Sequence, residues 1–248
     1  GSEPNPQNLY QDPWSDARVC PIPRSEIDGA IRTYHAIFAA AGISPQLGVD
    51  EEIELVTVAV EENPGPLLAY CKGDQNAAGD YIRCDGRPRL FDFGAGGFRH
   101  ALIEGMPWRM TWGCMMRIPS RTWPVMERAY RSRLACSYGD ADDDLAFYRS
   151  LVNAGARWNI FHLNHRLPEA LKSDRPRGPT TLRQQVIAWM EAFAELSEEY
   201  SQLKALGQSA RTMWKRLHQL WPSEVCQLPY YPAFRDSNPI GGVESGPL

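Results

Sequence analysis

The sequence lacks most of the features that would place a chain in a membrane, outside the cell or on a nucleic acid. No apolar run approaches the roughly 18–20 residues that span a bilayer, and no charged-then-apolar leader opens it. Lys and Arg number 26 against 30 Asp and Glu, a formal net charge of −4, so no surplus of positive charge advertises a nucleic-acid partner. The six cysteines (Cys20, Cys71, Cys84, Cys114, Cys136 and Cys226) contain no C-x-x-C pair. In a chain of this size that favours reduced thiols, and so a cytoplasmic protein, over a disulfide framework. Internal repeats and low-complexity tracts are missing, and so is an initiator Met: Gly1-Ser2 reads as a cloning remnant on a piece of something longer. What is present is ample core material, 43% hydrophobic residues in 248, enough for one large domain or two small ones.

Three regions follow from the pattern. Residues 1–24, rich in Pro, Asn and Asp, read as an extended arm. Ser25 opens an amphipathic helix with Ile27, Ile31, Tyr34, Ile37 and Phe38 at helical spacing, and Gly42 stops it. Asp50 can cap a following segment, EEIELVTVAVEEN, whose Val/Thr run fits helix and strand alike until Asn63-Pro64-Gly65-Pro66 ends it. LLAYC (67–71) reads as a short buried strand. YIRC (81–84) and RLFDF (89–93) read as two more, joined by an Asp85-Gly86 turn, with Pro88 confining the ladder to one free edge. Beyond residue 98 the periodicity is helical. Thr122 heads a helix with Trp123, Met126, Tyr130 and Leu134 on one face, Leu145 to Leu167 forms a second, and Thr181-Leu-Arg-Gln184 is a capping box for a third. A last helix carries Met213, Trp214, Leu217 and Trp221 and closes at Pro222. Residues 25–222 thus form one mainly α-helical α+β domain, and 223–248 a loose tail.

The chemistry concentrates in CKGDQNAAGDYIRCDGRPRLFDFG, residues 71–94. A hairpin over 81–92 sets residues near 80 opposite residues near 92, with facing Cβ atoms about 4.5–5.5 Å apart. Asp80 and Asp92 then meet at one end, and Asp74 starts the loop that enters it. Two carboxylates about 4 Å apart repel by roughly 4 kcal/mol at an effective dielectric near 20, which protonation or an intervening cation relieves. An all-oxygen site suits Mg²⁺. The alternative is a pair of Asp/Gly-rich turns with solvated acids.

Order and spacing favour the site. A strand, Lys72-Gly73-Asp74, a loop, a hairpin and then Phe91-Asp92-Phe93-Gly94, eighteen positions after Asp74, resembles the aminoglycoside phosphotransferase/choline kinase-like family of small-molecule kinases. That family carries H-G-D-x-x-x-x-N and then an I-D-F or D-F-G acid. The resemblance is specific over about thirty residues and architectural over the helical remainder. It implies the C-terminal lobe of a protein-kinase-like fold, acting with ATP and Mg²⁺ on a small-molecule hydroxyl acceptor of possible cationic character. By position, Asp74 matches the catalytic aspartate and Asp92 the magnesium ligand, as phosphoryl transfer requires positioning and charge neutralisation.

The departures from the family are specific. Lys72 stands where it has His. Gly79 stands where it has a metal-binding Asn, which leaves Asp80, one step on, as a second ligand and Asn76 as a weaker one. Arg99-His100, close behind the D-F-G turn, can touch phosphate or brace the loop. The glycine-rich loop and strand lysine of the nucleotide lobe are not found in the residues before the first helix. The chain therefore reads as an enzyme whose nucleotide lobe is missing, or as a pseudokinase-type binding or scaffold domain. His162 and His165, three apart on one helix face, read as hydrogen-bonded rather than metal-bound. The Arg109–Arg133 basic stretch and the Asp140–Asp144 acidic one read as solvated faces, with the acids also able to line a cationic acceptor's pocket. Trp108 and Trp112 are candidates for the same pocket. Oligomeric state is not legible.

Overall fold

The structure, a computed structural model, describes residues 22–72, 81–84, 87–90, 97–110, 116–136, 138–224 and 228–234. Helix α1 (Arg24–Ala40) buries Ile27, Tyr34, Ile37 and Phe38 along one stripe. It ends where Gly42 takes a φ of 76° and Ile43 N–H reaches back to Phe38 O at 3.1 Å. The ambiguous Val/Thr segment is helical: α2 (Val49–Thr57) continues into a π-helical turn, Val58–Glu62. Ile53, Val56 and Val60 are buried, so packing of one helical face overrides the β preference of branched side chains. Gly48 rather than Asp50 occupies the cap, and Asp50 lies in the first turn, where its charge favours the helix dipole.

Four short strands follow: β1 (Leu68–Cys71), β2 (Tyr81–Cys84), β3 (Arg87–Leu90) and β4 (Gly97–His100). A short helix α3 (Leu102–Gly105) leads to α4 (Trp123–Leu134), α5 (Asp144–Lys172), the two-residue strands β5 (Pro176–Arg177) and β6 (Thr180–Thr181), α6 (Leu182–Tyr200) and α7 (Lys204–Leu220). The fold is therefore mainly helical with small antiparallel sheets. The segment after residue 98 is not wholly helical, because β4, β5 and β6 interrupt it.

Helix α5 is the centre. Leu151 to Ala156 are buried without a break, as expected of a helix covered on all sides; α1, α2 and α6 pack around it. The capping box of α6 forms as its sequence predicts: Gln184 N–H donates to Thr181 Oγ1 at 3.3 Å, and Thr181 N–H donates to Gln184 Oε1 at 3.0 Å. Helix α7 has no such local cap. Glu52 from α2 supplies it, accepting from Leu206 N–H at 2.7 Å and Ala205 N–H at 3.2 Å. The α6–α7 turn is tight: Ser201 and Leu203 both take positive φ, 54° and 49°. Gly207 admits Ser197 so closely that an added Cβ would lie 2.6 Å from the serine Cβ.

Candidate functional site

The strands form two pairs, one nested inside the other. In the inner hairpin Tyr81 faces Leu90 and Cys84 faces Arg87, so the register runs one residue earlier on the second strand than the sequence spacing predicts. Pro88 sits within β3 opposite Arg83, tolerated in a two-stranded sheet that leaves one side of each strand free. The outer pair joins β1 to β4 antiparallel, with Leu68 opposite His100 and Cys71 opposite Gly97. These registers bring the chain ends flanking residues 73–80 and 91–96 together in two pairs. The residues singled out there, Asp74, Asn76, Gly79, Asp80 and Asp92, lie outside the described residues.

The scaffold around them is described. β1 is less buried than LLAYC suggests: Leu67 and Cys71 are buried, but Tyr70 is 57% exposed and meets Phe98 edge to face at 5.5 Å. A two-stranded sheet has an outer face that nothing described here covers. Arg99 lies on β4 opposite Ala69. Its guanidinium folds back along the strand, with an Nη atom 3.4 Å from where a Cβ on Gly97 would stand, and so toward the end of the sheet that bears the two segments. Its neighbour His100 faces the other way and is buried. Its Nδ1 accepts the Leu102 N–H at 3.3 Å, and burial pushes its pKa down to about 4. His100 is therefore a neutral brace for the β4–α3 corner. Tyr130 braces the same corner, its hydroxyl donating to Ala101 O at 2.7 Å. Burial, with Glu104 nearby, pushes the Cys71 thiol up to about 12, so it stays protonated and inert. Lys72, at the family's histidine position, is 4% exposed.

A second feature lies between α6 and the segment that follows α3. A cavity of about 390 Å³ is lined by Trp108, Trp123, Tyr230, Glu191, Glu195 and Arg117, among others. Trp108, a candidate for an acceptor pocket in the sequence, lines this cavity; Trp112 lies outside the described residues. The basic stretch is only partly a solvated face. Arg121, Arg128 and Arg133 are exposed, but the Arg109 side chain is 7% exposed. Arg109 donates to Glu199 at 2.8 Å, Glu127 at 3.1 Å and Tyr200 Oη at 2.9 Å, and its guanidinium lies over Trp123 at 5.1 Å. The acids are divided too: Asp143 caps α5 through Ala146 N–H, and Asp144 pairs with Arg131 at 2.7 Å. The cavity's carboxylates come instead from α6.

Part of the expected loose tail is docked here. Leu228 is buried, and Arg117 bonds the chain on both sides of Tyr230: its N–H donates to Pro229 O at 2.9 Å, and its C=O accepts from Tyr231 N–H at 3.2 Å. Its guanidinium covers the Tyr230 ring at 4.3 Å. The aromatic run in LPYYPAF was the available signal. His162 and His165 each set Nδ1 2.7 Å from a carbonyl of their own helix, Trp158 O and Phe161 O. No cluster of three or more metal-ligating side chains occurs among the described residues.

A scan against protein-family models and a search of the curated proteins find no match to this chain. Among the described residues no helix is long and apolar enough to cross a membrane.

Proposed function

We propose that the chain is the helical C-terminal lobe of a kinase-like small-molecule phosphotransferase, passing the γ-phosphate of ATP to the hydroxyl of an acceptor. The nested pairing carries this reading: β1–β4 encloses β2–β3, so the segments bearing Asp74 and Asp92 connect the same two strand ends. In it Asp74 accepts the hydrogen bond of the acceptor hydroxyl and orients that oxygen for attack. Asp92, with Asp80, offers the hard oxygen donors that Mg²⁺ prefers. Bound there, the ion supplies neutralisation of phosphate charge. Arg99, folded toward that end of the sheet, adds positive charge for phosphate, while Asn76 and Gly79 border the nucleotide. The carboxylates on α6 suit a cationic acceptor, and the scattered thiols suit the cytoplasm.

One observation favours a second reading, a pseudokinase-type binding or scaffold domain. Among the described residues before β1 there are only helices and turns, and none supplies a nucleotide clamp. Calorimetric titration with ATP, with and without Mg²⁺, separates the two. The phosphotransferase reading expects Mg²⁺-dependent binding that Asp92→Ala weakens and Asp74→Asn leaves intact while abolishing turnover. Equal turnover in both variants and the parent would remove the assignment; absence of nucleotide binding would favour the second reading.

A further inference from the structure

Three arginines gather where α5 hands over to α6. Arg166 lies on α5, Arg175 follows its end, and Arg177 lies on β5. Arg166 Nη1 and Arg175 Nη2 reach the same oxygen, Glu169 Oε2, at 3.5 and 2.8 Å. Arg177 has no such partner among the described residues. Its Nη1 is buried without an acceptor, and the other nitrogens of its guanidinium bond no described residue. Burial, then the charges of Arg166 and Arg175, holds the Arg177 pKa below the ordinary arginine value, with Glu169 opposing. Like charges that crowd a half-buried group without a counter-ion have this effect.

The backbone that carries Arg177 is fixed. It faces Thr180 across the β5–β6 turn. Thr180 Oγ1 donates to Arg177 O at 3.2 Å and accepts from the fully buried Gln185 at 3.0 Å, so the residue meets a ligand from a preorganised strand. The other charges of residues 166–184, with Glu224, cancel. Lys172 is exposed, and Arg183 donates to Ala170 O at 3.0 Å and covers the Trp221 ring at 4.8 Å. Against them stand Asp174, which accepts the Arg175 and Arg183 N–H groups at 2.9 and 3.1 Å, and Glu224, which accepts the Thr181 hydroxyl at 3.3 Å. The three arginines with their single glutamate therefore leave a net double positive charge. No large apolar side chain among residues 166–184 is exposed, so the corner offers no foothold in a bilayer.

We propose that this corner binds the phosphate dianion of a soluble phosphate monoester between Arg166, Arg175 and Arg177. Each guanidinium has five N–H donors in a planar fork that fits phosphate oxygens. Arg175 and Arg166 offer the donors not spent on Glu169, and Arg177 offers Nε and Nη2. A dianion matches the double positive charge, whereas a diester, with one negative charge, leaves half of it unanswered. This assignment stands apart from the phosphotransferase reading and needs neither ATP nor Mg²⁺.

Calorimetry with methyl phosphate and dimethyl phosphate tests it, at pH 8 and constant ionic strength, without ATP or Mg²⁺. At that pH the monoester is a dianion, because its second pKa is about 6. Methyl phosphate is expected to bind saturably, about tenfold tighter than dimethyl phosphate, the scale of one charged hydrogen bond. Arg166→Met, Arg175→Met and Arg177→Met each weaken it by about the same factor. Arg177→Lys, which keeps the charge and loses the fork, falls between Arg177→Met and the parent and keeps the test open if a Met variant unfolds; near-UV circular dichroism checks the packing of each. Co-sedimentation with phosphatidylcholine vesicles carrying phosphatidic acid reads the lipid source, and the protein should stay in the supernatant. No binding of methyl phosphate would overturn the proposal, as would equal affinity for the diester or variants that bind like the parent. Vesicle binding that Arg177→Met abolishes would replace the soluble ester with a lipid headgroup.

Discussion

Replacing Arg109 with Met tests how much the centre of the 108–123 segment depends on one charge. The guanidinium is 7% exposed, and its partner Glu127 is 8% exposed, at 3.1 Å. Glu199, the other partner, is 47% exposed, and water can take over much of that bond. The decisive loss is at Glu127, left as a buried carboxylate whose cation has gone. Removing one partner of a buried pair costs about 3–5 kcal/mol. At roughly 2–4 °C of melting temperature per kcal/mol for a domain of this size, the shift is about −6 to −20 °C. Urea denaturation of Arg109→Met, Glu127→Gln and the double variant reads it. The double variant should recover part of the loss, because glutamine carries no charge to strand. A cost below about 1 kcal/mol for Arg109→Met, the level of an exposed pair, or a double variant no better than the single, would refute the reasoning.

Three further outcomes are expected. Burial holds the His162 pKa at about 4 in the folded protein, against about 6.5 unfolded. The unfolded chain therefore takes up a proton first as pH falls from 6.5 to 4. Stability present above 6.5 is lost across that window, by up to about 3 kcal/mol. His162→Gln should flatten that part of a stability–pH curve, and an unchanged slope counts against it. Gly207→Ala drives a methyl group into Ser197 and should cost about 1–3 kcal/mol by denaturation; a neutral result would mean that α6 and α7 can slide apart. Glu52→Ala removes the two bonds that start α7 and should cost about 1–2 kcal/mol, visible as faster hydrogen exchange at Ala205 and Leu206.

The helical body was legible in the sequence because its signals are local. The Thr181–Gln184 box and the spacing of Trp189, Phe193 and Leu196 each lie within a few residues of what they specify. What sequence reasoning missed depends on distant partners. GFRH at 97–100 has a glycine and no clear alternation, and is a strand only because LAYC at 68–71 lies beside it. The tail at 228–234 looks like loop until Arg117 receives it. Arg109 reads as one of a run of surface arginines, and only the folded chain shows Glu127 and Glu199 converging on it. The pair Glu191 and Glu195 was visible as an i, i+4 spacing, yet nothing local says that a cavity opens beside it. Of the candidate site, the hairpin and the place of Arg99 behind it were legible; the aspartates themselves lie outside the described residues.

The nesting of the two strand pairs sets an order of assembly. The inner hairpin closes a two-residue loop and can form within about 1–10 μs. Once formed, it shortens the loop that Cys71 and Gly97 must close by about a third, a saving of a few tenths of a kcal/mol in closure entropy. The outer pair then closes last, and with it the ends of the segments that carry Asp74 and Asp92 come together. Loosening the Tyr70–Phe98 contact across that outer pair should therefore leave the helices and the inner hairpin intact while the ends of the two segments part, so that helical folding and closure of the outer pair become separable in the same molecule.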